Sequence, residues 1–365
     1  MIQMDIIQSV IDRIREKYVP DGRVELFDLK VIHEQERPVL YGETTSRDAY
    51  REILSETAGI ATRIRLLPDE VVGENLWGVI YNPVEKLQAS NSHASEVLSE
   101  ILLGTPVRLL DVKGGWRRVQ TPDGYIGWVS EGLKPMSGTE WRDFNRRQKV
   151  IVTAIYGFAY ENPDHLSQTV SSLVIGNQLL LTGETDQFYR VAYPDGREGY
   201  IRKSDAVLMS DWLQESDLTP DSLVATAMRF MGVPYVWGGT SSTGLDCSGL
   251  TRLVSLLHGL IIPRDASQQV LIGIPVDHRS DFSGLHPGDL LFFGQDENKV
   301  VHVAIHIGEK RFIHASDYVR LASLDPVDPL YDSFNAGRYL CARRIVGQEE
   351  RPGIDRILNH PFYQP

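Results

Sequence analysis

The chain has 365 residues, enough for two or three domains of ordinary size, and its 42% hydrophobic and 24% charged residues match a globular protein with a sizeable core. Lys and Arg total 37 against 49 Asp and Glu, a net charge of −12 that gives no general electrostatic reason to hold nucleic acid or an anionic membrane surface. The two cysteines, Cys247 and Cys341, are too few for a disulfide framework.

The segment Met1 to Pro20 mixes apolar residues with Asp5, Asp12, Arg13, Arg15, Glu16 and Lys17. It reads as an amphipathic helix and lacks the basic start and apolar middle of a secretory signal. The longest apolar-leaning run, Leu250 to Pro263, is broken by Arg252, Ser255 and His258 and is too short for a bilayer. The expectation is a cytoplasmic protein with no membrane partner, unless a signal has been trimmed. Strand-like alternation marks Val24 to Ile32, Arg37 to Gly42, Ile60 to Leu67 and Leu76 to Tyr81, with a helix at Ser46 to Gly59. Residues 1–88 are therefore read as a small α+β domain of unknown role. Its VLYGET segment followed by a helix is weakly similar to a BON domain.

An internal repeat with a constant offset of 72 follows. Gly104, Val107, Leu109, Trp116 and Val119 match Gly176, Leu179, Leu181, Phe188 and Val191. Pro122, Asp123, Gly124, Gly127 and Trp128 match Pro194, Asp195, Gly196, Gly199 and Tyr200. Each copy alternates apolar residues around a Pro-Asp-Gly turn, the pattern of a short-stranded β unit. The pattern resembles the bacterial SH3 (SH3b) domain, a small barrel. Two copies make tandem barrels, expected at residues 89–137 and 146–208, with Pro135 to Asn145 as the linker.

From Asp221 the texture changes. Ser222 to Met231 reads as a helix with Asp221 as N-cap, Gly232 to Gly244 as a Gly-rich loop, and Cys247 to His258 as a second helix. A third helix begins at Asp265, with Gln268 three residues on. Strands are expected at Asp289 to Phe293, Val300 to Ile307, Arg311 to Ala315 and Tyr339 to Ile345. Helices followed by an antiparallel sheet make the fold class of residues 215–350 α+β.

Cys247 stands where a Gly-rich loop enters a helix. Unpaired N–H groups and the positive dipole end lower a thiol pKa there, and the glycines let other groups approach the sulfur. Cys341, on a late strand, reads as a packing residue. The histidines offer a base. His302 and His306 share one strand face, and His314 follows on the next strand. A simple hairpin over Gly308 to Lys310 sets Ile307 opposite Arg311, Ala304 opposite His314 and His302 opposite Ser316. His302 and His314 are then diagonal neighbours, one able to act as base while the other orients it. A zinc reading on Cys247 and the three histidines competes with this. However, His302 and His306 lie about 13 Å apart along a strand, too far to share one ion. His306 is read as a sheet-surface residue, and neither metal nor cofactor is expected.

The segments PYVWGGTSSTGLDCSGL, IPRDASQQ, HPGDLLFF, HVAIHIG and FIHAS, in this order over residues 221–345, resemble the NlpC/P60 family of cysteine peptidases. The resemblance implies a papain-like α+β fold and cleavage of peptidoglycan peptides. By position it implies Cys247 as nucleophile, His302 as general base, His314 as the polar residue that orients it, and Tyr235 as an oxyanion donor. It also sets Asp246, Ser248, Asp265 and Ser267 on the cleft, although Asp246 and Asp265 also suit helix N-caps. Two SH3b domains ahead of the peptidase resemble the YkfC-type γ-D-glutamyl-L-diamino acid endopeptidases. In those enzymes the first SH3b domain closes the cleft and binds the free amine of the substrate's L-Ala. That implies Tyr125 and an acidic group, Glu96 in preference to Glu100. The expected partner is a peptidoglycan-derived peptide, cut between γ-D-Glu and meso-diaminopimelate or Lys during wall-peptide recycling. Two alternatives stand beside this reading: a wall-binding SH3b module with an inactive peptidase domain, and an amidase or acyltransferase on the same fold.

Overall fold

The amphipathic N-terminal segment forms the helix Ile2–Tyr18, with Ile7, Ile11 and Ile14 buried at helical spacing. The computed structural model describes residues 2–35, 37–215, 218–276, 282–296 and 299–365; Met1, where this helix is expected to start, lies outside them. The helix packs with Arg47–Glu56 on a three-stranded sheet. Phe27–Glu34 and Arg37–Thr44 pair antiparallel, and Ala61–Leu66 joins parallel to Arg37–Thr44. Ser46 caps the second helix at the Ala49 N–H.

Two seven-stranded sheets follow, with strands in the same order. The first runs Leu133–Met136, Trp77–Ile80, Pro106–Lys113, Trp116–Gln120, Ile126–Val129, Val84–Gln88 and Val97–Leu102. In the second, Ala206–Leu208, Lys149–Val152, Gln178–Glu184, Phe188–Ala192, Glu198–Arg202, Tyr156–Tyr160 and Thr169–Val174 take those places. Six strands keep the offset of 72 (77 to 149, 84 to 156, 97 to 169, 106 to 178, 116 to 188, 126 to 198). Gly124 and Gly196 close the Pro-Asp-Gly turns at φ of 85° and 96°, backbone that strains any side-chain-bearing residue.

This repeat corrects two sequence expectations. Trp77–Ile80 and Val84–Gln88 hydrogen-bond into the first SH3-like sheet, so that unit begins at residue 77 and the boundary expected at 88 cuts through it. Strand partners distant in sequence decide membership, and only the strongly matched residues 104–128 had shown the period. The expected linker Pro135 to Asn145 is instead the end of a strand and the helix Gly138–Arg146, started by a capping box of Ser137 and Glu140. Trp141 of this helix stacks on Trp77 at 4.1 Å and donates to the Phe362 carbonyl, which fastens the C-terminal tail across the first SH3-like unit.

The last unit begins with the helix Pro220–Met228. Its cap is Thr219, in a capping box with Ser222, rather than Asp221, because Pro220 occupies the first helical position. The helix Cys247–Leu256 lies on a six-stranded antiparallel sheet. That sheet runs Ile274–Pro275, Tyr339–Arg344, Leu290–Gly294, Val300–Gly308, Arg311–Ser316 and Tyr318–Ser323. Leu250, Leu253 and Val254 of the helix share one core with Phe292, Val303, Ile305 and Ile313 of the sheet. The arrangement is α+β. Tyr318–Ser323 is an edge strand the sequence analysis leaves out.

Candidate active site

Cys247 begins its helix behind Asp246, whose carboxylate accepts from two backbone N–H groups. Oδ1 accepts from the Gly249 N–H (2.7 Å) and Oδ2 from the Gly238 N–H (3.0 Å), which folds the Gly-rich loop against the helix start. Gly249 has no room for a side chain there, since a Cβ would lie 2.0 Å from the Gly239 carbonyl oxygen. Arg264, only 2% exposed, completes the cluster. It pairs with Asp246 (2.5 Å) and donates to Ser248 Oγ (2.9 Å) and, across the domain junction, to Ser99 Oγ (3.1 Å). Sequence reasoning passed over Arg264, although a lone cation in the apolar run LIIPRDA was its signal.

The two histidines meet as the hairpin register predicts. Ile305 faces Ile313, and His302 Nε2 lies 2.9 Å from His314 Nδ1. Only the turn differs: a bulge after His306 pairs Gly308, not Ile307, with Arg311. With Nε2 given to His314, Nδ1 is the nitrogen of His302 left for a partner in the cleft. His306 is buried rather than on the sheet surface, with its Nδ1 donating to the His286 carbonyl. Cys341 packs in the core opposite Phe292.

The protonation states correct a further expectation. The Ser248 N–H, one of the free groups at the helix start, does favour a thiolate at Cys247, as does the Val303 N–H. Burial and the neighbouring Asp246 carboxylate outweigh them and push the thiol up to about 11. Burial likewise holds His302 near 3, with His314 adding to the effect, and burial holds His314 near 4. The free site is thus a neutral thiol beside a neutral imidazole pair. A histidine kept neutral in the fold but protonated near 6.5 when unfolded makes the unfolded chain bind more protons between those values. Stability is therefore full above pH 6.5 and lost as the pH falls toward 4, by up to about 1.4 kcal/mol per pH unit for each histidine. Urea midpoints should fall between pH 7 and 5, more steeply for the parent chain than for a His314→Gln variant. Equal slopes would contradict the buried neutral pair.

Cys247 and His302 line a cleft of about 450 Å³ together with Tyr235, Asp246, Ser248 and Arg264. Tyr235 is held by its backbone N–H on the Asp317 carbonyl, and burial with the nearby Cys247 and Asp246 keeps its hydroxyl protonated, up to about 12. The first SH3-like unit closes the other end of the cleft. There Tyr125 donates to Asp265 Oδ2 (3.0 Å), Glu96 accepts from Trp237 Nε1 (2.9 Å), and Ser267 lines the wall beside them. Asp265 starts its short helix yet aims its carboxylate at the cleft, while its backbone N–H donates to Gln268 (3.1 Å). Glu100 is engaged elsewhere, with Oε2 on the Thr240 N–H. His314, fully buried, stands behind His302. Trp237 was visible in the PYVWGG segment but not singled out.

A thiol at a helix start, an imidazole pair and a closed cleft are the parts of a cysteine hydrolase. The family profile described as NlpC/P60 matches residues 232–344, and that of the bacterial dipeptidyl-peptidase SH3 domain matches residues 87–132. The chain is 36% identical over 274 residues to a γ-D-glutamyl-L-lysine dipeptidyl-peptidase of Bacillus cereus, covering 70% of this chain and 78% of the relative. The namesake enzyme of Bacillus subtilis is 28% identical over 231 residues, 60% of this chain and 72% of its own. The crystal structure of an NlpC/P60 family protein from Bacillus cereus superposes with a TM-score of 0.63 at 27% identity, over 74% of this chain and 99% of that one. The chain belongs to the NlpC/P60 family of cysteine peptidases, with SH3-like domains ahead of the peptidase fold. No described helix is long and apolar enough to cross a membrane.

Proposed function

We propose that this chain hydrolyses the bond between γ-D-Glu and the diamino acid in short peptidoglycan-derived peptides that carry a free N-terminal L-Ala. The observation that carries the reading is the closed end of the cleft: Glu96, Tyr125 and Asp265 line the same cavity as Cys247 and His302. Two carboxylates and a phenol suit an ammonium group. The names of the Bacillus relatives support the bond.

In this mechanism His302 takes the Cys247 proton through Nδ1 as the sulfur attacks the γ-carbonyl carbon of D-Glu. The neutral resting pair makes proton transfer part of the attack. The Cys247 backbone N–H and the Tyr235 hydroxyl receive the developing oxyanion. His302, oriented by His314, passes its proton to the leaving amine of the diamino acid, and the thioester remains. His302 then activates a water, which releases L-Ala-γ-D-Glu and restores the thiol. Asp246, Ser248 and Ser267 shape the wall that holds the acyl half of the substrate.

A free L-Ala amine exists on released wall peptides and not on stem peptides still attached to glycan. The reading therefore assigns the chain to recycling of released peptides. Mass spectrometry should find L-Ala-γ-D-Glu and free diamino acid from L-Ala-γ-D-Glu-meso-diaminopimelate or its lysine counterpart, with intact sacculi left uncut. Solubilisation of sacculi at a comparable rate would overturn the recycling role.

A further inference from the structure

The N-terminal domain reaches the cleft through one turn. Between the helix Ile2–Tyr18 and the strand Phe27–Glu34, the segment 21–24 lies on the first SH3-like unit, where the Ile126 N–H donates to the Arg23 carbonyl and Gln120 Nε2 to the Val24 carbonyl, both at 2.8 Å. The Arg23 side chain is forked on Asp21, with Nε and Nη2 each donating to one carboxylate oxygen at 2.8 Å. This fork leaves Nη1 directed at the peptidase domain. There it donates to Asp265 Oδ2 and Ser267 Oγ, both at 2.8 Å, while Gln268 Nε2 secures Asp21 at 2.7 Å. Asp265 Oδ2 is also the atom that accepts from Tyr125.

We propose that Arg23 is a positioning residue of the substrate site, fixing Asp265 and Ser267 from behind the cleft wall, so that the N-terminal domain is a working part of peptide recognition. Arg23 does not itself line the cavity. Its planar fork binds three acceptor groups at once, which a lysine ammonium on a flexible stem does not reproduce. The Asp265 carboxylate is thereby held in one orientation for the ammonium of the substrate, and the Arg23 charge is largely matched by Asp21, so the pocket stays acidic. The inference rests on reading Glu96, Tyr125 and Asp265 as the amine end.

The test is a double-mutant cycle on the full chain with L-Ala-γ-D-Glu-meso-diaminopimelate. Arg23→Ala should raise KM about tenfold with kcat within about twofold, Arg23→Lys should not restore KM, and Asp21→Asn should follow in the same direction. Arg63→Ala, at an exposed residue of the same domain that pairs with Glu34, should leave both constants unchanged. In an Asp265→Asn background, Arg23→Ala should add less than about twofold, because its partner is gone. Full additivity, or a lower melting temperature with KM unmoved, would reduce Arg23 to a domain fastener and overturn the proposal. Titration of the same variants with the dipeptide L-Ala-γ-D-Glu reads the coupling without turnover. Failure of the amine reading shows separately, as equal turnover of the free and N-acetylated tripeptides by the parent chain.

Discussion

Cys247→Ala should lower kcat on the free tripeptide by about 10⁵-fold or more, the scale on which removal of a covalent nucleophile acts. The two serine hydroxyls that line the cleft are engaged: Ser248 Oγ with Arg264 and Asp246, Ser267 Oγ with Arg23. Neither is placed to substitute for the sulfur. Cys247→Ser should be nearly as inactive. The base is a buried imidazole held near 3, which takes a proton from a thiol only as carbon–sulfur bonding proceeds, and a hydroxyl proton is harder still to remove. Because alanine suits the first turn of a helix, the Ala variant should bind L-Ala-γ-D-Glu with affinity close to that of the parent chain. Turnover within about a hundredfold of the parent would contradict the assignment of Cys247.

Arg264→Met is the second large effect, and it acts on stability as well as rate. Arg264 is 2% exposed and its partner Asp246 6%. Removing the guanidinium leaves a buried carboxylate without its counter-charge, at a cost of about 3–5 kcal/mol. The same loss removes the donor that orients Asp246 and Ser248 on either side of Cys247, so the surviving fold should also turn over more slowly. Arg264→Met combined with Asp246→Asn removes the uncompensated charge and should recover part of the stability but little of the rate. Urea denaturation alongside steady-state kinetics separates the two. An Arg264→Met variant as stable as the parent would mean that the pair is not buried in solution.

The parts legible in the sequence were those set by local periodicity or by short motifs. The offset of 72 identified paired β units because each strand and Pro-Asp-Gly turn recurs at fixed spacing, and the alternation along VHVAIHIG and RFIHAS was enough to bring His302 beside His314. What escaped depends on distant partners. Trp77–Ile80 belongs to the first SH3-like unit through hydrogen bonds to Pro106–Lys113 and Leu133–Met136. Arg23 meets Asp265 across 242 positions of chain, and nothing in the turn around it signals a site. The thiol misled for a different reason. A helix start is visible in sequence, but the burial and the Asp246 carboxylate that outweigh it are properties of the packed site. His306 was misplaced likewise, since the loop carrying His286 covers a sheet face that alternation alone would leave open.

The central claim is an amine-gated cysteine peptidase acting at γ-D-Glu, and one comparison tests it most directly. L-Ala-γ-D-Glu-meso-diaminopimelate and the same peptide acetylated on its L-Ala nitrogen are incubated separately with the chain, and products are followed by mass spectrometry. Cleavage of the free peptide at the γ-D-Glu bond, with the acetylated peptide slower by about a hundredfold or more, is the predicted result, since acetylation removes the charge for which the proposed amine site relies on Glu96 and Asp265, both of which line the cavity. Equal rates would retain the Cys247–His302–His314 chemistry and contradict the gate.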